Sequence, residues 1–270
     1  MNTVPAGCGW NWVRTGFALF RKNPAMWAFL VFSYLMLTQI LGMIPILGLF
    51  FALVLVPSFS AGFMTFSREL DQGKRIGFAL LFSGFRSSLP ALLWQGGLYL
   101  PCVLIILGLS ALADGGALLK MVVWGELPLE AISGDSGFLA AVALFGMLYI
   151  PVSAAFWFAP ALSAWRNLPA LQAVFYSFFA AVRNWRAFLA YGIAISLLGF
   201  TFTIVGIVLA VLLQGLLGNN SQSAIVLVKL LVMLTYVSIL LASFYASYRD
   251  IFPPPVAAAK PEAVTDADAQ

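Results

Sequence analysis

The stretch Phe17-Ala-Leu-Phe20-Arg21-Lys-Asn-Pro24 decides how the whole chain is organised. Its first five residues follow the pattern Phe-x-x-[Phe/Val]-Arg, which returns at residues 82–86 and 179–183. Each copy stands just before a long apolar segment. The pattern therefore predicts the entrance to a helical hairpin at the inner surface of a membrane, used three times.

The composition is that of a membrane protein. Apolar residues make up 62% of the chain and charged residues only 9%, far from the mix of a soluble domain, so the natural solvent for most of it is lipid. The chain has no histidine, which removes His-ligated haem, the usual zinc sites and His-based acid–base catalysis. No run of basic residues is dense enough for nucleic acid. We expect neither a cofactor nor a metal, and no nucleic-acid partner.

Six segments carry almost no charge over about the twenty residues that cross a hydrocarbon layer of about 30 Å. The predicted spans are 24–43, 46–66, 89–112, 137–165, 187–213 and 224–248. No small-x-small cleavage site follows the first segment, so we expect it to remain as a membrane helix. Pro151 and Pro160 predict a kink or a break in the fourth span.

The predicted fold is all-α, a polytopic membrane protein with six transmembrane helices arranged as three hairpins with amphipathic interfacial helices. It forms one membrane domain over residues 1–252, and residues 253–270 are a disordered tail rich in Pro, Ala and acids.

Short amphipathic segments precede the hairpins. In the first of them, helical spacing directs four apolar side chains toward lipid: Trp10, Val13, Phe17 and Phe20. The third, after Pro169, has the strongest amphipathic pattern. Basic residues at the ends of these segments are predicted to contact anionic lipid head groups: Arg21, Arg86, Arg183 and Arg186.

Orientation follows from Lys and Arg. One side of the predicted membrane carries twelve of these residues, and the other carries only Lys120 and Lys229. The excess predicts a bacterial inner-membrane protein with the N- and C-termini in the cytoplasm. Lys229 lies one turn inside the outer end of its span and is expected to snorkel outward, although a role in binding an anion is the alternative.

A second pattern supports a threefold repeat. Pro57 and Pro160 each begin the sequence Pro-x-x-Ser-Ala near the inner end of a span. Together with the Phe-x-x-[Phe/Val]-Arg copies, this favours three hairpins of the same orientation, a parallel repeat. Chance matches in a phenylalanine-rich chain are the competing explanation.

Polar and small residues inside the spans are expected to serve helix packing. On the fifth span, steps of three and four residues connect a stripe made of Gly192, Ser196, Gly199, Thr203 and Gly206. Such stripes let two helix backbones approach closely in lipid; a dimer seam or a permeation path are the alternatives. Gln39, Gln95 and Gln214 are likewise expected to bond neighbouring helices.

No catalytic site is predicted. Four carboxylates fall in the long outer loop over residues 113–136: Asp114, Glu126, Glu130 and Asp135. Their spacing fits no metal-binding loop, so a solvated acidic loop is the expectation. The apolar part of this loop, residues 118–123, is expected to dip into the interface.

The layout resembles families of uncharacterised bacterial integral membrane proteins. The stretch that starts at Phe17, the Pro-x-x-Ser-Ala ends and the six spans carry the resemblance, over roughly residues 9–250. The layout is also distantly similar to the membrane domain of some bacterial glycerophosphodiester phosphodiesterases. That activity is not expected here, because the chain has no soluble phosphodiesterase domain and no histidine.

The sequence therefore predicts a non-enzymatic membrane scaffold, an accessory subunit or a lipid-interacting protein. Its expected partners are the lipid bilayer and anionic phospholipid at the inner face, with a homo-oligomer or another membrane protein left open. A transporter or channel for an uncharged or apolar solute is the alternative.

Overall fold

The computed structural model describes residues 1–44, 47–125, 136–218 and 222–253. Over these residues the chain is helical and contains no strand. Six helical segments are long and apolar enough to cross a membrane. The predicted all-α, six-span fold is confirmed.

The helices follow one another along the chain with short connections. They are α1 (Cys8–Lys22), α2 (Pro24–Gly42), α3 (Leu47–Asp71), a 3-10 helix (Phe78–Phe82), α4 (Ser83–Ser87), α5 (Leu89–Asp114), α6 (Ala117–Trp124), α7 (Ser136–Phe156), α8 (Ala159–Arg166), α9 (Ala170–Arg183), α10 (Trp185–Leu217) and α11 (Gln222–Ile251). The first hairpin is α2 and α3, the second is α5 with α7 and α8, and the third is α10 and α11. We call α3, α7–α8 and α11 the returning spans. The surface helices are α1, the 3-10 helix with α4, and α9.

The end of the opening stretch separates α1 from α2. Asn23 leaves the helical conformation (φ −155°, ψ 76°), and its side-chain Oδ1 accepts a hydrogen bond of 3.1 Å from the Met26 amide. Pro24 follows in the first turn of α2, where its missing N–H leaves no hydrogen bond unmade. The Asn-Pro pair therefore ends the surface helix and starts the span.

The fourth span is broken, not only kinked. α7 runs through Pro151 without interruption and ends at Phe156, and α8 begins at Ala159, so that Pro160 lies in its first turn. Ser177 of α9 covers the gap: its hydroxyl accepts from the Phe158 amide at 2.9 Å and donates to the Ala154 carbonyl at 2.8 Å. The surface helix thus satisfies backbone groups that the break frees.

The loop between the third and fourth spans contains the short helix α6, Ala117–Trp124, in the part that the sequence predicted to be apolar. Leu118 of this helix is buried against α5 and α7. Residues 126–135 of the loop, and residues 254–270 of the predicted tail, lie outside the described part of the chain.

Each surface helix packs on the returning span of the hairpin before it. The 3-10 helix and α4 pack on α3, α9 packs on α7 and α8, and α1 packs on α11. The first surface helix therefore packs on the last span, which joins the beginning of the chain to its last helix. Consistent with this closure, the Asn2 amide donates a 2.9 Å hydrogen bond to the Ile251 carbonyl.

Two of these crossings occur at the same depth. A Cβ added at Gly84 of α4 would collide with the Ser58 backbone, and one added at Gly16 of α1 would collide with the Ile239 carbonyl and Ser243. Ser58 lies ten residues before Arg68, and Ile239 lies ten residues before Arg249, at the ends of α3 and α11. The equal spacing on α3 and α11 is a likeness between the first and third hairpins.

Candidate membrane-surface site

The C-terminal ends of the three returning spans meet around Trp165 of α8. The Trp165 indole donates a 3.2 Å hydrogen bond to the Thr65 hydroxyl of α3. Its ring lies edge-on to Tyr248 and Tyr245 of α11, with centroids 4.8 and 6.4 Å away. We call this end of the bundle the basic end.

Each returning span has an arginine in its last turn, and this arginine reaches toward the next span. The Arg68 guanidinium of the first hairpin lies 4.3 Å from the ring centroid of Trp165 in the second. Arg166 of the second hairpin donates a 3.3 Å hydrogen bond to the Phe252 carbonyl, just after the third. Arg249 of the third hairpin returns to the first, where it pairs with the last residue of α3. The three contacts form a closed cycle.

Asp71 is the acceptor that completes the cycle. Its Oδ2 lies 3.0 Å from an Arg249 nitrogen and accepts a 3.2 Å hydrogen bond from the Tyr245 hydroxyl. Its Oδ1 lies 3.6 Å from the Lys22 ammonium at the end of α1. No sequence pattern indicates this network, because its members lie far apart along the chain. One carboxylate thus joins α1, α3 and α11.

Most arginines of the basic end have no such partner. The four carboxylates within the described residues, Glu69, Asp71, Asp114 and Asp250, are all engaged in ion pairs or hydrogen bonds. Six exposed arginines have no hydrogen bond or ion pair within that part of the chain: Arg14, Arg21, Arg75, Arg86, Arg183 and Arg186. The six include all four arginines that the sequence predicted to contact lipid head groups.

Apolar side chains of the surface helices stand exposed beside these arginines. On α9, the exposed fractions are 70% for Leu171, 59% for Phe175 and 47% for Phe179. The opposite face of α9 is built from small residues, with Ala173 and Ala180 fully buried. The amphipathic pattern of α9 therefore turns its large side chains outward, as an interfacial helix does.

The face predicted for α1 is only partly correct. Trp10 and Phe17 are exposed, but Val13 is buried at 8% exposure, so its predicted contact with lipid is wrong. Trp12, which the sequence did not single out, is 1% exposed and donates a 2.9 Å hydrogen bond from its indole to Asp250. α1 is sandwiched against α10 and α11, which buries the face that carries Trp12.

The corner between α9 and α10 is held by Asn184, which is 3% exposed. Its side-chain Oδ1 accepts from the Val4 amide at 2.8 Å, and its Nδ2 donates to the carbonyls of Asn2 and Ala180 at 3.2 and 2.9 Å. The N-terminal arm therefore ties this corner to the end of α11.

Cations flank this fixed residue on both sides. Arg183 ends α9, and Arg186 lies in the first turn of α10. The Arg186 guanidinium lies 5.5 Å from the centroid of the Trp185 ring, which is 57% exposed.

The predicted small-residue stripe on α10 consists of Gly192, Ser196, Gly199, Thr203 and Gly206. Gly199 lies against Tyr236 of α11, whose hydroxyl oxygen would be 3.1 Å from an added Cβ. Gly206 is buried against the same helix. Gly192 faces open space, and the two hydroxyl residues of the stripe are exposed. The structure thus brings two of the five residues to α11.

A buried polar group lies beside the broken fourth span. Gln95 of α5 is fully buried and donates from Nε2 to the Ala159 carbonyl at 3.0 Å and to the Ser163 hydroxyl at 2.7 Å. The Ser163 hydroxyl in turn donates to the Leu168 carbonyl at 2.8 Å. Gln95 therefore bonds a neighbouring helix, as the sequence predicted for this residue.

The carboxylate of the predicted acidic loop that the structure describes, Asp114, caps a helix. Asp114 accepts hydrogen bonds from the amides of Gly116 and Leu118 at 2.8 and 2.7 Å, which fixes the start of α6. The other predicted members of the acidic loop, Glu126, Glu130 and Asp135, lie outside the described residues. Within 1–44, 47–125, 136–218 and 222–253, no three His, Cys, Asp or Glu residues are grouped as a metal site would require.

A curated protein of Burkholderia thailandensis named "probable inner membrane protein" is similar to this chain. The two are 37% identical over 258 residues, which make up 92% of this chain and 92% of the relative. No family model matches the chain, and no solved structure matches it.

Proposed function

This chain belongs to the family of the Burkholderia thailandensis probable inner membrane protein, and we propose that its basic end binds anionic phospholipid at the inner leaflet. It is a multi-pass integral membrane protein. In the proposal it acts without catalysis, as a scaffold or accessory protein that gathers acidic lipid around the inner ends of its spans.

The observation that carries the proposal is the surplus of arginine at the basic end. Six exposed arginines there have no carboxylate partner within the described residues, and they stand beside exposed apolar faces of the surface helices. An interfacial helix with this arrangement places its apolar face among the acyl chains and its cations at the phosphates. Each such cation is worth about 1 kcal/mol of attraction to an anionic surface.

The proposed orientation places the basic end and both termini in the cytoplasm. Its support is the twelve-to-two distribution of Lys and Arg between the two sides. The inner leaflet is also the leaflet whose anionic lipids attract such cations. Labelling from outside the cell of a cysteine placed in α6 tests the orientation.

The proposal includes no enzymatic step. The spans hold few ionisable groups, and the outer carboxylate Asp114 serves as a helix cap. The likeness of layout to the membrane domain of some glycerophosphodiester phosphodiesterases brings no activity with it, because this chain has no histidine. This part of the proposal would be overturned if deletion of the gene abolished a phosphodiester hydrolysis and the purified protein restored it.

Electron spin resonance with spin-labelled lipids tests the lipid preference. The full chain is reconstituted in phosphatidylcholine with a trace of spin-labelled phosphatidylglycerol or phosphatidylcholine, and the motionally restricted fraction of each probe is measured. We expect a preference for phosphatidylglycerol that weakens as salt rises. Replacing the six unpartnered arginines by glutamine should abolish it. Equal restriction of the two probes by the wild-type protein would refute the proposal.

A membrane-protein partner or a second copy of the chain fits a scaffold role. Chemical cross-linking in native membranes, followed by gentle detergent purification, tests this part of the proposal. A cross-linked species at twice the chain mass, or one specific partner retained through purification, is the expected result. A chain recovered only as a monomer would refute it.

Transport of an uncharged or apolar solute is the second candidate. The observation in its favour is the broken fourth span, where Gln95 and Ser163 bring polar groups to membrane depth. Flux of such a solute into proteoliposomes, lost in Gln95→Leu, would favour transport over the scaffold role. We expect no flux, since Gln95 and Ser177 already bond backbone groups around the break.

A further inference from the structure

A surface helix meets its span at three corners. These corners differ in how many of their cations have no ion-pair partner within the described residues. At the first corner, a shallow open depression of about 320 Å³ is lined by Ala18, Arg21 and Lys22. Lys22 is already paired with Asp71 there. The second corner has a single cation, Arg86, at the end of α4.

The third corner, between α9 and α10, has two unpartnered cations within four residues, Arg183 and Arg186. The carboxylates of the basic end, Glu69, Asp71 and Asp250, pair elsewhere.

We propose that the third corner is a specific site for one anionic diacyl phospholipid. Arg183 and Arg186 hold the phosphate, and Trp185 lies at the level of the glycerol backbone, where indole rings settle. The exposed apolar faces of α9 and α10 receive the acyl chains. The proposal rests on the proposed function. It assigns the binding of anionic phospholipid to one corner, whereas the three surface helices would otherwise share it.

The face of α10 that carries Arg186 supplies an apolar track. Steps of three and four residues lead from Arg186 to Leu189, Ile193, Leu197 and Phe200. These four side chains are 58%, 55%, 55% and 66% exposed. From Arg186 to Phe200 the helix rises by fourteen residue steps, or about 21 Å at 1.5 Å per step, which exceeds the depth of one leaflet, about 15 Å. An acyl chain of a lipid whose phosphate lies at Arg186 can therefore contact α10 along the whole length of that acyl chain.

A second apolar wall comes from α9. Phe179 and Val182, each 47% exposed, precede Arg183 on this helix. The corner thus presents apolar surface on both helices next to the two cations. Diacyl lipid fits this arrangement, whereas free phosphate would leave both walls unused.

The corner is also fixed before any lipid arrives. The buried Asn184 makes three hydrogen bonds that hold the α9–α10 turn to the N-terminal arm. A site whose backbone is already ordered loses less conformational entropy on binding. Preorganisation of this kind favours a bound lipid over a diffuse electrostatic layer.

Photocross-linking tests the site. The full chain is reconstituted in phosphatidylcholine vesicles that contain a small fraction of phosphatidylglycerol or phosphatidylcholine with an acyl-chain diazirine, and labelled residues are mapped by mass spectrometry. We expect the phosphatidylglycerol probe to label residues 189–200 at least fivefold more than the phosphatidylcholine probe does. Arg183→Gln/Arg186→Gln should lower that labelling about tenfold.

The matched control is Arg14→Gln/Arg75→Gln, which removes the same charge from two other unpartnered arginines of the basic end. It should change labelling of residues 189–200 less than twofold. An equal loss in the two double variants would overturn the specific site while leaving the general lipid preference intact. Absence of any phosphatidylglycerol preference over the whole basic end would instead refute the proposed function and the site together.

Two competition arms identify the ligand. Unlabelled phosphatidylglycerol should displace the probe, and unlabelled phosphatidylcholine should not. Inorganic phosphate should displace it no more than chloride at equal ionic strength does. Displacement by phosphate beyond the chloride level would overturn the assignment to lipid. Both double variants should elute as the wild type does in gel filtration, because these side chains make no ion pair within the described residues.

Discussion

The surface helices α1 and α9 carry the same Phe-x-x-[Phe/Val]-Arg pattern, and the structure uses them differently. α1 is built into the bundle, with Trp12 hydrogen-bonded to Asp250 and Gly16 against the backbone of α11. α9 packs through small residues and leaves its large apolar side chains exposed. The pattern thus ends a surface helix just before a span in both cases. The residues on its other face, and the presence of a carboxylate near its end, decide whether it is a structural element or a surface open to lipid.

The largest expected effect separates two tryptophans of α1. Trp12→Ala should cost about 3–5 kcal/mol of unfolding free energy, because it empties a buried site and removes the hydrogen-bond donor to Oδ2 of Asp250. Trp10 is 49% exposed, and Trp10→Ala should cost less than about 1 kcal/mol. Unfolding in mixed detergent micelles measures both. Equal costs would mean that α1 lies on the surface as α9 does.

Next in size is the close approach of α1 to α11. Gly16→Ala should destabilise the protein by about 1–3 kcal/mol, since the new methyl group meets the Ile239 carbonyl. Gly7, just before α1, has open space around it and a helical backbone, so Gly7→Ala is the matched control and should be nearly neutral. The same micelle assay applies. A neutral Gly16→Ala would show that α1 is free to move away from α11.

Asp71→Asn should have a smaller effect of about 1 kcal/mol, because its ion pairs with Lys22 and Arg249 are partly exposed to solvent. The loss should shrink in 1 M salt, where the Debye length falls to about 3 Å. Arg14→Gln, at an arginine without an ion pair in the described residues, is the control and should be neutral. A salt-independent cost for Asp71→Asn would point to the Tyr245 hydrogen bond instead of the charges.

The smallest effect on stability is expected on α9. Phe175→Gln/Phe179→Gln should change the unfolding free energy in detergent by less than about 0.5 kcal/mol, because both side chains are exposed. In lipid nanodiscs, however, the same variant should speed hydrogen exchange of the α9 amides, since the helix loses its anchor among the acyl chains. Unchanged exchange would mean that these side chains do not rest in lipid.

The sequence predicted where the chain crosses the membrane and missed much of how the helices face each other. Charge-free runs located the spans, and Asn23-Pro24 marked a helix boundary, because both signals are local. In a chain this apolar, however, lipid-facing and protein-facing side chains have the same composition. Trp10 and Trp12 could therefore not be told apart from the sequence.

The same limit applies to small residues and charges. The sequence pointed to the regular stripe on α10 as a packing surface. Close approaches between helix backbones occur instead at isolated glycines such as Gly16 and Gly84. Asp71 looked like one of several charges after the second span, because its partners Lys22 and Arg249 are brought to it only by the tertiary fold. Pro151 and Pro160 predicted a disturbed fourth span, but only the structure shows that the break lies next to Pro160, where Ser177 bonds the backbone.

The central claim is that the basic end, with its unpartnered arginines, lies against the inner leaflet. Cysteine labelling in living cells tests it most directly, in a Cys8→Ser/Cys102→Ser background. Ser87 at the basic end and Lys120 in α6 are both exposed and are replaced singly by cysteine. We expect a membrane-impermeant maleimide to label Lys120→Cys in intact cells and to label Ser87→Cys only after permeabilisation. Labelling of Ser87→Cys in intact cells, with Lys120→Cys protected, would contradict the central claim.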